Sequence, residues 1–186
     1  MANSKSIGNN FERETAKRLS LWLTNNIDDD VCWRDLGSGS RHTQRKKVGR
    51  ETKRQGDFVA TDLNYQWFFD AVCVDSKSYK EFNPLFINEK NIKSNSIFNQ
   101  WLKLIEESED KLPMMIVKIR DRKTPEFIML PTWVNFPTGS DLTLMVQSFS
   151  ETSYGHGKDC FIVLQEEFFS KVNAKDFTTL NIKIRF

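Results

Sequence analysis

Apolar positions recur at helical spacing over residues 9–24. Phe11, Thr15, Leu19, Trp22 and Leu23 fall on one side, and Arg13, Glu14, Lys17 and Arg18 on the other. Turn formers and acids from Asn25 to Asp30 end the pattern. Residues 31–34 read as a short strand, and a Gly/Ser/basic loop follows from Leu36 to about Gln55. Residues 57–62 and 68–77 are rich in Phe, Val and Ala, and with Leu63 to Trp67 between them they predict a β-hairpin. A second helix is predicted over residues 95–109, with Ile97, Phe98, Trp101, Leu102 and Ile105 on one stripe. Pro113 precedes a strong strand from Met114 to Arg120, and Phe127 to Leu130 reads as another. Leu142–Val146, Phe161–Leu164 and Leu180–Phe186 are further strand candidates. The order is αβββαβ with β-rich additions, which predicts a single mixed α/β domain over residues 1–186.

Composition narrows the classes. A chain of 186 residues can bury a real core, and 39% hydrophobic with 28% charged residues fits a soluble globular protein. No apolar run approaches the roughly 20 residues of a membrane span. The N-terminal stretch lacks the apolar core of a secretory signal. Cys32, Cys73 and Cys160 are widely spaced without a CxxC pair, which argues against a disulfide framework or zinc ribbon. A reducing, cytoplasmic setting is expected. The net charge is only +2, but Arg41, Arg45, Lys46, Lys47, Arg50, Lys53 and Arg54 stand against the single acid Glu51. Such a stretch attracts a polyanion through Coulomb steering and counterion release. A solvated loop that binds nothing has the same composition.

Candidate chemistry starts from Glu12. At about 100° per residue it falls near Ala16, Leu19 and Leu23, inside the apolar stripe, whereas Glu14 falls on the solvent side. A carboxylate on a buried stripe costs free energy unless a metal ion or a cation pairs with it. An ordinary salt bridge, for instance with Lys77, satisfies that requirement equally well. Asp57 and Asp75 lie symmetrically about position 66, the middle of the expected turn, so a centred hairpin sets them opposite one another. Opposite Cβ atoms lie about 4.5–5.5 Å apart, and two carboxylates that close repel unless a cation sits between them. Oxygen ligands suit Mg²⁺ or Mn²⁺ rather than zinc. Asp75 and Lys77, two apart on a strand, point to one face. The lysine is then placed to orient or deprotonate a water, or to steady charge on a phosphate. The plainer alternatives are a turn role for Asp57 after Gly56 and an exposed ion pair for Asp75 and Lys77. Asp75 nevertheless interrupts the apolar run from Phe68 to Val74 without ending it.

Taken in order, these residues resemble the PD-(D/E)xK nuclease superfamily, most of all the archaeal-type Holliday-junction resolvases and their phage relatives. Gly8-Asn9-Asn10-Phe11-Glu12-Arg13-Glu14 resembles the opening helix, Arg34-Asp35-Leu36-Gly37-Ser38 the R-x-x-G-S loop, Gly56-Asp57 the first metal aspartate, and Val74-Asp75-Ser76-Lys77 the (D/E)-x-K strand. The resemblance covers about residues 5 to 131. It implies a restriction-endonuclease-like αβββαβ core, with residues 132–186 as a β-rich elaboration. It implies a Mg²⁺-dependent deoxyribonuclease, with Mn²⁺ as a substitute and no organic cofactor. Glu12, Asp57, Asp75 and the Ser76 backbone carbonyl would be the metal ligands, and Lys77 the catalytic lysine. DNA would be held by Ser38 and by Arg41, Arg45, Lys46, Lys47, Arg50, Lys53 and Arg54. A homodimer acting on branched DNA, encoded by a bacterium or phage, completes the expectation, with no membrane partner. The long basic insertion between Ser38 and Asp57, Asp75 where resolvases usually carry Glu, and the tail after Pro131 depart from the resolvase pattern. These departures bear on which DNA is cut.

Gln100, beside the apolar stripe of the second helix, can reach a metal-bound water or serve as a helix-edge glutamine. His42, in the basic loop, can touch a phosphate or stand solvated, and the Tyr154–Lys158 loop can close on substrate or serve as a connector, since one histidine without partners is weak evidence for catalysis. Two other functions fit the same core. A non-catalytic DNA-binding module would bind DNA without metal and cut nothing. A sequence-specific restriction enzyme would cut one defined site without preferring branches.

Overall fold

The computed structural model describes residues 4–35, 56–80, 96–108, 110–120, 124–147 and 159–182. Helix α1 (Ser4–Leu23) is followed by strands β1 (Cys32–Arg34) and β2 (Phe58–Ala60). A 3-10 turn (Leu63–Tyr65), helix α2 (Gln66–Ala71) and strand β3 (Val72–Tyr79) come next. Helix α3 (Ser96–Glu107) then leads to β4 (Leu112–Ile119), β5 (Phe127–Pro131), β6 (Leu144–Gln147), β7 (Cys160–Leu164), α4 (Gln165–Lys171) and α5 (Ala174–Ile182).

The main sheet has the order β3-β4-β5-β7-β6. β3 and β4 are parallel, in register from Val72↔Leu112 to Tyr79↔Ile119, and the other neighbours are antiparallel. Both faces are covered, which is why the central strands read as continuous apolar runs. On one face Val72, Val74, Leu112, Met114, Ile116, Ile128 and Val163 pack with α1 and with Phe68, Phe168 and Phe177. On the other, Cys73, Met115, Val117, Met129 and Ile162 pack with Ile97, Phe98, Trp101 and Leu104 of α3. The stripe expected on α1 is buried at Phe11, Thr15, Leu19, Trp22 and Leu23. Trp22 donates its indole N–H to the Val172 carbonyl at 2.6 Å and sits among Phe68, Phe168 and Phe169. Polar ties fix α1 over the sheet. Lys118 pairs with Glu14 at 2.9 Å and Glu126 at 3.1 Å, and Arg18 pairs with Glu126. All three cysteines are buried free thiols. Among the described residues no helix is long and apolar enough to cross a membrane.

Two sequence expectations are corrected. The hairpin of residues 57–77 does not form. β2 pairs antiparallel with β1, in register Cys32↔Ala60 to Arg34↔Phe58, and residues 63–71 are helical. Local chemistry explains the helix: the Asp62 side chain caps it by accepting the Asn64 N–H, and Gln66 bonds Asp70 one turn on. Phe68 and Phe69 are both buried, as neighbours on a half-covered strand would not be. The second correction is at the C-terminus. Leu180 to Ile182, expected as strand, belong to α5, where Phe177, Thr178 and Asn181 are buried at helical spacing. Asn173 caps that helix by accepting the N–H groups of Lys175 and Asp176. The elaboration thus contributes β6 and β7 to the main sheet and two helices to its covering.

β3 meets the β2 segment at a single parallel bridge, Gly56↔Val74. Gly56 has φ +86°, and a Cβ there would lie 2.5 Å from the Val74 carbonyl oxygen and 2.9 Å from its nitrogen. Only glycine satisfies both the backbone conformation and the approach. Gly56→Ala should therefore destabilise the fold by about 2–4 kcal/mol. A fall in melting temperature of roughly 4–16 °C by circular dichroism would check this, and an unchanged melt would contradict it.

Candidate active site

The bridge at Gly56 brings the two aspartates together. Asp57 follows Gly56 and Asp75 follows Val74, so a parallel contact makes them neighbours where the sequence suggested an antiparallel pair. The proximity survives the change of topology. Asp57 is clamped three ways: its N–H donates to the Val74 carbonyl at 2.8 Å, its carbonyl accepts the Asp35 N–H at 2.8 Å, and its Oδ2 accepts the Ser76 N–H at 3.1 Å.

Asp75 and Lys77 share one face of β3, as strand alternation requires. The Lys77 ammonium lies 3.0 Å from Asp57 Oδ2 and 3.1 Å from Asp75 Oδ2. Side-chain exposure falls from 25% at Lys77 to 14% at Asp57 and 1% at Asp75. Two carboxylate oxygens thus converge on one cation in a largely dry setting. Burial works against the lysine charge, but Asp75 and Asp57 outweigh it and hold the ammonium above the usual lysine range. Among the described residues, no three carboxylate, histidine or cysteine side chains stand close enough together to hold a metal ion.

Glu12 occupies the edge of the α1 stripe, with its side chain 28% exposed. Its cationic partner is Arg34, whose Nε lies 3.3 Å from Glu12 Oε2, rather than Lys77. Burial, then Asp57, raise the Glu12 pKa above its ordinary value, while Arg34 and Lys77 pull it down without restoring it and Asp75 adds to the rise. Glu12, Asp57, Asp75 and Lys77 therefore share one electrostatic site, and with Arg34 they carry one net negative charge.

Gln100 is half-buried on α3, the helix that covers the Asp75 face of the sheet. Ser38, Arg41, Arg45, Lys46, Lys47, Arg50, Lys53 and Arg54 lie outside the described residues. The Asp35 to Asp57 hydrogen bond pins the two flanks of that segment side by side at the site. Sequence reasoning missed three contributors. Arg34 stands in the expected strand 31–34 and in the loop motif but without a role at the site, although strand alternation sets it on the same side as Cys32. Tyr79 continues the Asp75, Lys77 alternation; burial pushes its hydroxyl up to about 12, with Lys77 opposing and Asp75 reinforcing the shift. Gly56 carried the signal of a glycine next to an acid, which marks a close backbone approach as readily as a turn.

The raised Glu12 value makes a stability prediction. A carboxyl that holds its proton more tightly when folded stabilises the fold fully below its unfolded pKa, and that contribution is lost as pH rises through the folded value. Glu12→Gln, which cannot ionise, should raise the melting temperature by about 1–3 °C at pH 7.5 and leave it unchanged near pH 4. A lower melting temperature at pH 7.5 would show that the Arg34 pair outweighs the burial of the charge.

Comparison with known proteins gives a family match. The model of the family described as "Phage putative PDDEXK endonuclease" matches residues 3–179. No curated protein and no solved structure matches the chain. The match runs well past Pro131, so the tail that had no counterpart in a resolvase is part of this family's pattern. With Asp75 and Lys77 on β3, Asp57 set beside them, and the match spanning nearly the whole chain, the protein belongs to the phage PD-(D/E)xK endonuclease family.

Proposed function

We propose that this member of the family is a divalent-metal-dependent DNA endonuclease whose site consists of Glu12, Asp57, Asp75 and Lys77. The observation that carries the reading is the convergence of Asp57 Oδ2 and Asp75 Oδ2 on one cation, 3.0 and 3.1 Å away. Hard oxygen donors in this arrangement suit Mg²⁺ or Mn²⁺. Asp57 and Asp75 would hold the ion, with the Ser76 carbonyl beside them and Glu12 completing the set. When bound, the ion acidifies a coordinated water and offsets charge on the phosphate.

The chain's own residues do the rest. Lys77, held charged by the two aspartates that face it, can donate hydrogen bonds at the site. It therefore orients the attacking water and stabilises the oxyanion that develops on phosphorus. The Ser76 N–H holds Asp57 in its rotamer, so the first ligand is pre-positioned. The basic segment leaves β1 and returns at Gly56, both beside this site, and its Arg and Lys residues would grip the DNA backbone. Such contacts position DNA without reading sequence. Selection by DNA shape is part of this proposal: a branched substrate, such as a four-way junction, taken by a homodimer. So are a single nuclease domain, joined by pairing of β7 to β5, action in a reducing cytoplasm, and a role for Gln100 at the metal-bound water.

Cleavage of labelled four-way-junction and linear duplex DNA, with Mg²⁺, Mn²⁺ or EDTA, tests the reading. Cutting should require the metal, favour the junction, and fall by at least about 100-fold in Lys77→Ala and Asp75→Asn. Full activity in Asp75→Asn would overturn the site assignment. Cleavage at one defined duplex sequence would select a restriction-like enzyme, and metal-free binding without cutting would select a non-catalytic module.

A further inference from the structure

Glu12 and Arg34 meet because one support carries both. The Cys32 N–H donates to Ser20 Oγ at 3.1 Å, and its thiol donates to the Ala16 carbonyl at 3.3 Å. Ala16 and Ser20 lie one and two turns along α1 from Glu12. Two residues beyond Cys32, on the same side of β1, Arg34 reaches Glu12 Oε2. The same strand abuts the first aspartate, since Arg34 is in register with Phe58 and the Asp35 N–H bonds the Asp57 carbonyl. Glu12 is thus engaged by one cation while Asp57 and Asp75 share another.

The engagement is a loose one. The Arg34 side chain is 15% exposed, and its buried Nε lies 3.3 Å from the carboxylate without the alignment of a hydrogen bond to any described residue. A contact without hydrogen-bond alignment gives up less on exchange for a metal ligand than an aligned pair would. Among the described residues the acids do not yet form an ion-holding cluster.

We propose that Arg34 is a positioning residue that holds Glu12 back from Asp57 and Asp75, so that a divalent cation must take Glu12 from Arg34 to complete its ligand set. This rests on the metal-dependent reading above. Exchange leaves a buried guanidinium nitrogen facing the site, a costly state unless an anion takes the place of Glu12. A non-bridging phosphate oxygen of the DNA has the required charge and geometry. Ion binding and phosphate binding then reinforce each other, and the coupling is reciprocal.

The test is a double-mutant cycle read by calorimetric titration of Mn²⁺ into DNA-free protein: wild type, Arg34→Gln, Glu12→Gln and the double variant. Arg34→Gln should tighten Mn²⁺ binding about three- to tenfold when Glu12 is present, and by less than about twofold when it is Gln. Equal tightening in both backgrounds would make Arg34 a distant positive charge only, and no tightening in either would remove it from the site; both results overturn the proposal. A wild type that binds no Mn²⁺ would overturn the metal-dependent reading and this inference with it, whereas wild-type binding with a flat cycle sinks the inference alone. Should Arg34→Gln unfold below the titration temperature, Arg34→Met keeps the apolar stem and is read by the same cycle.

Discussion

The backbone contact between Gly56 and Val74 sets where every other part of the site can be. It exists because a glycine with positive φ lets two main chains approach to a distance no side chain would permit. From it follow the Asp57 N–H bond to Val74, the Ser76 N–H bond to the Asp57 carboxylate, and the placing of Asp57 alongside Asp75. Behind it, β3 is locked to β4 over eight paired positions and covered on both faces. Asp75 is therefore presented from the rigid centre of the molecule.

Burying Asp75 almost completely, with Asp57 beside it, works against stability. Two desolvated carboxylates repel, and a nearby glutamate adds to the field. Lys77 offsets this by bridging the pair, and Arg34 partly neutralises Glu12. A concentration of acids that the fold has to compensate with two cations is weak ground for a structural role, because hydrophobic residues of similar volume would cost less. A hard cation held there, as proposed, would account for it. The helices and strands that carry these groups are held by ordinary means: an aromatic cluster around Trp22 and a salt-bridge lattice joining α1 to β4 and the residue before β5.

Much of this was legible in the sequence, for physical reasons that differ by element. The α1 stripe and the apolar runs at β4 and β5 follow local periodicity, and local periodicity survives folding. The hairpin failed because the run from Phe68 to Val74 is apolar at every position but Asp70, so alternation could not separate helix from strand; the Asp62 cap and the paired Gln66 and Asp70 decided the matter. Pairing of Gly56 with Val74 is a nonlocal contact through a crossover, and no period in the chain encodes it. The grouping of these residues was nonetheless legible, because Asp75-x-Lys77 needs only strand alternation to share a face, and the Glu12 position needs only a helical wheel. Arg34 as the partner of Glu12 was not legible, since it depends on how Cys32 docks against Ala16 and Ser20. The span of the family match shows likewise that the β6–β7 region belongs to the common pattern, which its sequence alone did not reveal.

The central claim is that Asp57 and Asp75 form the seat of a divalent cation. Anomalous scattering from a crystal of the protein grown with Mn²⁺ tests it without any assay of activity. A single strong peak bounded by the Asp57 and Asp75 carboxylates, absent from crystals of Asp75→Asn, is the predicted result. Ordered, well-resolved aspartates with Lys77 still between them and no peak at saturating Mn²⁺ would contradict it.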